Sequence, residues 1–290
     1  MPAKPYKLPR DYLQVPKKVN ITNLVLDRHV AAGRGANPAI FHEDQVITYV
    51  ELQKRVNQFG NALKKLGLGK GDRFVVRCHN CPEFIIATLG GMKIGAVPLP
   101  TNTLFRSREL EHIINNSEAK LVLTMQDLLG PIDEVRSRCP TLKHLILVDR
   151  AGKGQLLLSE LMKGASTQLN AADTSADDLA FMIYTSGTTG VPKGVQHAHR
   201  WIISLGHPIA YVIQQLTPKD ITFFPRELSF IYAFGCSFLF PFHAGAADSA
   251  RRSAWNTSRN SRSPNSLRCP PSTGCCSTSR GSRRNSNSPR

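Results

Sequence analysis

Residues 184 to 194 read YTSGTTGVPKG, placing three glycines, four serine or threonine hydroxyls and one lysine directly behind an apolar stretch. That set suits a polyphosphate. Glycines let backbone N–H groups converge on one point, the hydroxyls of Thr185, Ser186, Thr188 and Thr189 add donors without bulk, and Lys193 supplies a mobile cation. Pro192 stands where a Walker A loop needs its second glycine, and no Gly-Lys-Ser/Thr follows, so this is a cradle of another kind. The competing reading is a hydroxyl-rich surface loop without a ligand.

Other residues carry weaker signals. Cys78-His-Asn-Cys81 has redox or zinc spacing, but no second Cys/His pair answers it, so no metal site is expected. His197 and His199 follow the cradle and are expected to open a helix, facing either a nucleotide or solvent. Phe230, Tyr232 and Phe234 alternate before Gly235, which suits either an apolar pocket or an ordinary strand face.

The elements that must position these residues are legible as a strand–helix alternation. A helix is expected around Asn23 to Ala31, then a hairpin pairing Ala39–Phe41 with Val46–Thr48 across Glu43 and Asp44. Thr48 and Glu51 form a capping box, Leu52, Val56, Phe59, Leu63 and Leu66 recur at helical spacing, and Gly67 supplies a left-handed stop, predicting a helix from Tyr49 to Leu66. There follow a strand at 73–77, a helix opened by Pro82, a strand near Val97, a helix near 109–115 capped by Ser107, a strand at 120–124, a helix near 132–138, and strands at 144–148, 179–184 and 220–224. Apolar strands between amphipathic helices predict an α/β fold with mainly parallel sheets covered by helices. Ligands of such sheets bind beyond the carboxyl ends of the strands, where the loop after Tyr184 is expected.

The 290 residues are 41% hydrophobic, enough for a sizeable core. No signal peptide or membrane-length apolar run is evident, so a cytoplasmic protein without membrane partners is expected. Seven scattered cysteines form no disulfide framework. The formal charge of +16 divides evenly, +8 falling after residue 245. Residues 1–245 are thus only moderately basic, which suits anionic small molecules without implying nucleic acid.

The segment SGTTGVPKG resembles the phosphate-binding signature of the adenylate-forming superfamily, which includes acyl-CoA synthetases, luciferases and peptide-synthetase adenylation domains. ITYVELQKRVNQFGNALKKLGLGKGDRF and PEFIIATLGGMKIGAVPLPTN are similar to the opening of the same domain, so the resemblance spans about residues 20–245. It implies that ATP and a carboxylic acid give an acyl-adenylate and pyrophosphate, and that CoA then displaces AMP, with Mg2+ assisting. It also implies that Thr185, Ser186, Gly187, Thr188, Thr189 and Gly190 hold the β- and γ-phosphates, with Lys193 as accessory cation. Phe230, Tyr232, Phe234 and Gly235 would line the acyl pocket. With NLVLDRHVAAGRGANPAI, that last segment looks most like benzoate- and aminobenzoate-type ligases; a medium-chain fatty acyl-CoA ligase is the alternative within enzymes.

After Gly245 the character changes to an Arg/Ser/Pro-rich tail with nine arginines and no lysine. Two domains are therefore expected, a partial adenylation domain at 1–245 and a disordered tail at 246–290. A basic RNA-binding tail is one reading; a GC-rich gene read out of frame is the other. Joining the last base of each codon from Pro264 to Asn287 to the first two of the next permits ELVAVPALYRVLLNISGIEEKFKL, an ordinary helical sequence resembling the same ligases. A frameshift is the reading adopted. The resemblance then implies that the later magnesium, ribose and hinge motifs and the C-terminal lysine are missing. The catalytic set is incomplete, and a non-catalytic fragment is the expected product.

Overall fold

The computed structural model describes residues 14–152, 155–185 and 190–249. The chain starts with a helical run at 21–34, largely π-helical at Asn23–Asp27 and Val30–Arg34. Strands β1 (Pro38–His42) and β2 (Gln45–Thr48) form the expected hairpin, turning at Glu43 with φ of 51°. Helix α1 (Tyr49–Lys65) opens on the expected capping box, in which the Thr48 N–H donates to Glu51 Oε2 at 2.9 Å. Gly67, at φ of 81°, supplies the left-handed turn after it.

Strands β3 (Arg73–Arg77), β4 (Val97–Pro100), β5 (Leu121–Thr124), β6 (His144–Leu147) and β7 (Leu156–Leu157) form a five-stranded sheet, all parallel, in the order β4-β3-β5-β6-β7. The connections include α2 (Pro82–Lys93), α3 (Ser107–Ser117) and α4 (Gly130–Asp133), and α5 (Leu158–Met162) follows β7. Side-chain alternation divides the core. Phe74, Val76, Leu121, Leu123 and Ile146 face α1 and α2, whereas Val75, Val122, Leu145 and Leu147 face α3 and α4.

Helix α2 is squeezed between α1 and the sheet, and all its residues but Glu83 are buried. A Cβ on Gly90 would lie 2.8 Å from the Phe59 ring and 3.0 Å from the Val56 carbonyl, so the α1–α2 contact needs glycine there. The end of α2 buries Lys93, whose ammonium donates to Asp27 and Asn57, each at 2.7 Å. Burial without these partners would be prohibitive.

Strands β8 (Leu179–Thr185) and β9 (Lys193–Ala198) form an antiparallel pair. A helical run at 201–213 follows. Strand β10 (Ile221–Thr222) joins β11 (Ala247–Ser249), β1 and β2 in a mixed sheet ordered β10-β11-β1-β2. Between β10 and β11, α6 (Ile231–Ala233), a π-helical turn (Phe234–Leu239) and α7 (Phe240–Ala244) make one helical run. The fold is α/β with mainly parallel sheets. No helix of the described residues is long and apolar enough to cross a membrane. β11 lies past the boundary drawn after residue 245, and the tail from residue 250 lies outside the described residues.

Four expectations are corrected. Ser107 is the first residue of α3 rather than its cap; the cap interaction is the Arg106 N–H donating to Glu109 Oε2 at 3.0 Å, while the Ser107 hydroxyl meets Glu134. The helix near 132–138 is broken into α4 and a 3-10 turn at Arg136–Arg138. The strand at 220–224 shrinks to Ile221–Thr222, the two residues that pair with Ala247 and Asp248 of β11. The aromatics from 231 onward are helical rather than extended, and their spacing of four, Phe234, Phe238 and Phe242, gives successive edge contacts at 5.3 Å.

Donors gather where α7 ends. His29 Nε2 donates to the Phe242 carbonyl at 2.7 Å, the Tyr211 hydroxyl donates to that of His243 at 2.9 Å, and Arg28 reaches the same carbonyl. Arg28 and Arg34 also donate to His243 Nδ1 and His29 Nδ1, so both imidazoles act as neutral acceptors. Burial, reinforced by Arg28, pushes His29 down to about 4 and His243 to about 2. Burial also lowers His199 to about 4, and its Nδ1 accepts from the Ile21 N–H at 3.2 Å. Asp248 moves the other way, raised by burial to about 7.

The histidines have folded values below their ordinary 6.5, so the unfolded chain binds more protons under that pH and stability falls as pH drops from 6.5 toward 4. Asp248, raised from 3.8, opposes this with one proton against three. Urea melts should show a net loss on the order of 2 kcal/mol between pH 6.5 and 5. His29→Gln should flatten the slope.

Candidate functional site

The segment expected to hold phosphates connects β8 to β9. Thr185 ends β8, Lys193 opens β9, and the two are paired across the strands. Both are exposed, and Lys193 forms no ion pair with any described residue. Gly190 has φ of 78°, and no described residue comes within 4 Å of where a Cβ would stand. A left-handed backbone beside open space is where glycine leaves N–H groups free to face a ligand. Ser186, Gly187, Thr188 and Thr189 lie outside the described residues.

The expected run from strand through loop to helix is corrected here. After the loop the chain doubles back as β9, because Lys193, Val195 and His197 alternate with Gly194, Gln196 and Ala198 and pair with β8. His197 therefore sits in a strand and His199 just after it, and the helical run begins at Trp201. His197 lies flat on Phe181, with ring centroids 4.5 Å apart, and burial lowers its pKa. His199 is fully buried. Burial thus favours the neutral form of both imidazoles.

Helix α3 supports the loop from below. The Tyr184 hydroxyl donates to Asn116 Oδ1 at 2.7 Å, and His112 Nε2 donates to the Pro192 carbonyl at 3.0 Å. Sequence reasoning missed His112 and Asn116. Their signal was a polar pair four apart beside the apolar positions Leu110, Ile113 and Ile114.

The four candidates for an acyl pocket divide. Phe234 is fully buried and packs on Phe181 at 4.8 Å and on Phe84 at 6.5 Å. Gly235 is buried against Phe240, whose ring would lie 2.7 Å from a Cβ. Phe230 and Tyr232 are 49% and 46% exposed, Phe230 beneath the Arg226 guanidinium and Tyr232 against Phe224. The contact of Phe181 with Phe234 joins the cradle hairpin to the helical run that carries these aromatics.

Cys78 and Cys81 are both buried, which pushes Cys78 well up and Cys81 up to about 12. Thiols held protonated in this way make poor ligands and poor nucleophiles.

Residues 27–252 match the family model described as AMP-binding enzyme. Benzoate–CoA ligase of Thauera aromatica is 34% identical over 235 residues, covering 81% of this chain and 44% of that protein. The 4-hydroxybenzoate–CoA/benzoate–CoA ligase of Rhodopseudomonas palustris is 30% identical over 225 residues, covering 76% of this chain and 41% of that protein. Among solved structures, anthranilate CoA ligase AuaEII in complex with anthranoyl-AMP aligns with a TM-score of 0.79 at 28% identity, covering 82% of this chain and 46% of that one. A benzoate CoA ligase from Burkholderia xenovorans LB400 aligns with a TM-score of 0.73 at 25% identity, covering 81% and 45%. The chain thus spans somewhat under half the length of these relatives.

Asn116→Ala should leave the Tyr184 hydroxyl partnerless in a largely buried place and cost about 1–3 kcal/mol in urea unfolding. In a Tyr184→Phe background the same substitution should cost clearly less, with a coupling near 1 kcal/mol. Equal costs in both backgrounds would remove this bond as the support of the loop.

Proposed function

Since the chain belongs to the family of AMP-binding enzymes, we propose that it is the front part of an ATP-dependent carboxylate–CoA ligase whose acid is aromatic. One observation carries this reading: the SGTTGVPKG hairpin is joined, through Phe181 and Phe234, to an aromatic helical segment. The similarity to ligases of benzoate, hydroxybenzoate and anthranilate supports the same acid class.

In the proposed reaction, the acid's carboxylate oxygen attacks the α-phosphorus of ATP and pyrophosphate leaves. Thr185, Ser186, Gly187, Thr188, Thr189 and Gly190 receive the β- and γ-phosphates, and Lys193 offsets the charge that develops on the leaving group. CoA then displaces AMP. The described residues offer no cluster of three His, Cys, Asp or Glu for a metal ion, so no step is assigned to Mg2+, which we propose arrives with ATP.

The proposal extends to the gene. The Arg/Ser/Pro-rich residues that follow the family match, which ends at residue 252, are taken as the product of a shifted frame, so the 290-residue chain should show negligible ATP–pyrophosphate exchange with benzoate, aminobenzoates or fatty acids. DNA after codon 245, read one nucleotide over, should encode the remainder of a ligase. Stop codons throughout that frame, or robust exchange by the purified 290-residue chain, would refute this part. In a frame-restored enzyme, acid preference separates the aromatic reading from a fatty-acyl one. Lys193→Ala there should slow adenylate formation by about 2–4 kcal/mol while leaving thioester formation from supplied acyl-adenylate nearly intact, because pyrophosphate has gone before CoA attacks. Equal slowing of both half-reactions would remove Lys193 from the phosphate site.

A further inference from the structure

The Cys78-His-Asn-Cys81 turn has no part in the function so far, yet it touches the stretch that leads into the aromatic segment. The turn leaves the carboxyl end of β3 and ends at Cys81, the residue before α2. Asn80 faces residues 226–228 with both ends of its amide. Its Nδ2 donates to the Arg226 carbonyl at 2.9 Å, and its Oδ1 accepts from the Leu228 N–H at 2.8 Å. Such a two-point contact fixes a backbone in register as a strand partner would, although no strand is present.

The neighbours of Asn80 hold the same place. Glu227 accepts from the Thr103 hydroxyl at 2.6 Å, and His79 Nδ1 stands 3.8 Å from its carboxylate while His79 Nε2 meets Asp127 at 3.0 Å. Arg77, at the end of β3, donates to the carbonyls of Thr103, Phe105 and Leu128, so the loops that carry Thr103 and Asp127 are themselves tied to the sheet. From Leu228 the order passes on through the backbone. The Phe230 N–H donates to the Glu227 carbonyl at 3.0 Å, and the Phe234 N–H donates to the Phe230 carbonyl at 2.8 Å, which starts the helical run. Phe84, three residues past Cys81, meets the Phe234 ring.

We propose that the Cys78–Cys81 turn is a clamp that sets the position of the acid-binding segment, with Asn80 as its positioning residue. The buried cysteines serve as small apolar anchors that pack the turn against the sheet, Cys78 against the Leu123 carbonyl at 3.9 Å. The spacing that resembles a zinc or redox pair is thus the spacing of a turn that offers an amide to a neighbouring loop. The proposal rests on the reading of residues 230–235 as part of the acid's pocket, and two measurements keep the claims apart.

The first is hydrogen exchange on the 290-residue chain. Asn80→Ala should speed exchange at the Leu228 amide at least tenfold, with smaller rises at Phe230 and Phe234 and none in α1 or β5. Asn80→Asp, which keeps the acceptor and loses the donor, should restore much of the protection at Leu228. Unchanged exchange at Leu228 in Asn80→Ala overturns the clamp whatever the pocket does. The second measurement is benzoate binding to the same chain by saturation-transfer NMR, with ATP binding as the internal reference. Asn80→Ala should weaken benzoate at least fivefold and leave ATP unaltered, and Asn80→Asp should recover part of the loss. If Phe234→Ala weakens benzoate but Asn80→Ala does not, Asn80 loses its positioning role while the pocket stands. If benzoate fails to bind, or binds Phe234→Ala as well as the unaltered chain, the pocket assignment falls and the substrate part of this proposal falls with it.

Discussion

A parallel sheet has no face to spare for water, and that constraint organises this molecule. Its strands are too apolar to leave open and need crossover connections that run along the sheet, so both faces become core. The sequence of β3 shows the consequence, since Phe74 and Val76 go to one hydrophobic cluster and Val75 between them to the other. Helix α2 pays the steric price by presenting Gly90 to α1 and Gly91 to Phe74. The same constraint directs the loops after β3, β4 and β5 to a common edge. There Arg77, 2% exposed, turns its guanidinium on three carbonyls from two of those loops. A buried cation satisfied by backbone oxygens makes that edge a fixed surface rather than a set of independent turns.

The cradle follows a different rule. Its described ends, Thr185 and Lys193, are paired at the end of an antiparallel ladder that stands apart from the parallel sheet. Rigidity arrives from two sides. Helix α3 holds the base of the loop through Asn116 and His112, and Phe181 carries His197 on one side and Phe234 on another. A change in the helical run at 231–244 is therefore felt in β8 by direct contact of rings, without a longer path through the core.

What could be read from the residues divides along local and tertiary causes. The capping box at Thr48 and Glu51, the hairpin turn at Glu43 and Asp44, and the β3-to-β6 alternation depend on neighbours within a few residues, and they appear where the pattern places them. The segment at 184–194 stands out in the sequence because glycines and hydroxyls are dense there. His197 was misplaced because β9 is polar and half exposed, so its alternation carries no apolar stripe and only pairing with β8 makes it a strand. Phe230, Tyr232 and Phe234 look like a period of two over five residues; the period of four that governs them emerges only when Phe238 and Phe242 are counted. The partnership of Asn80 with residues 226–228 spans half the chain, and no local pattern encodes it.

Asp248 brings the fold and the composition of the chain to the same point. It lies in β11, paired on both sides by β1 and β10, fully enclosed, with the Ser237 hydroxyl donating to it at 2.9 Å and no ion pair among the described residues. Burial raises it to about 7, so near neutrality the strand holds either a costly charge or a proton taken up for the purpose. The central strand of a small sheet is otherwise the place for a β-branched or aromatic side chain, as Ile40 on the neighbouring strand illustrates. Asp248 is also the last acid in the chain, and nine arginines and no lysine follow it. A buried carboxyl group in such a strand is a conflict between residue type and position, eased only by the Ser237 hydroxyl and by the proton that burial favours.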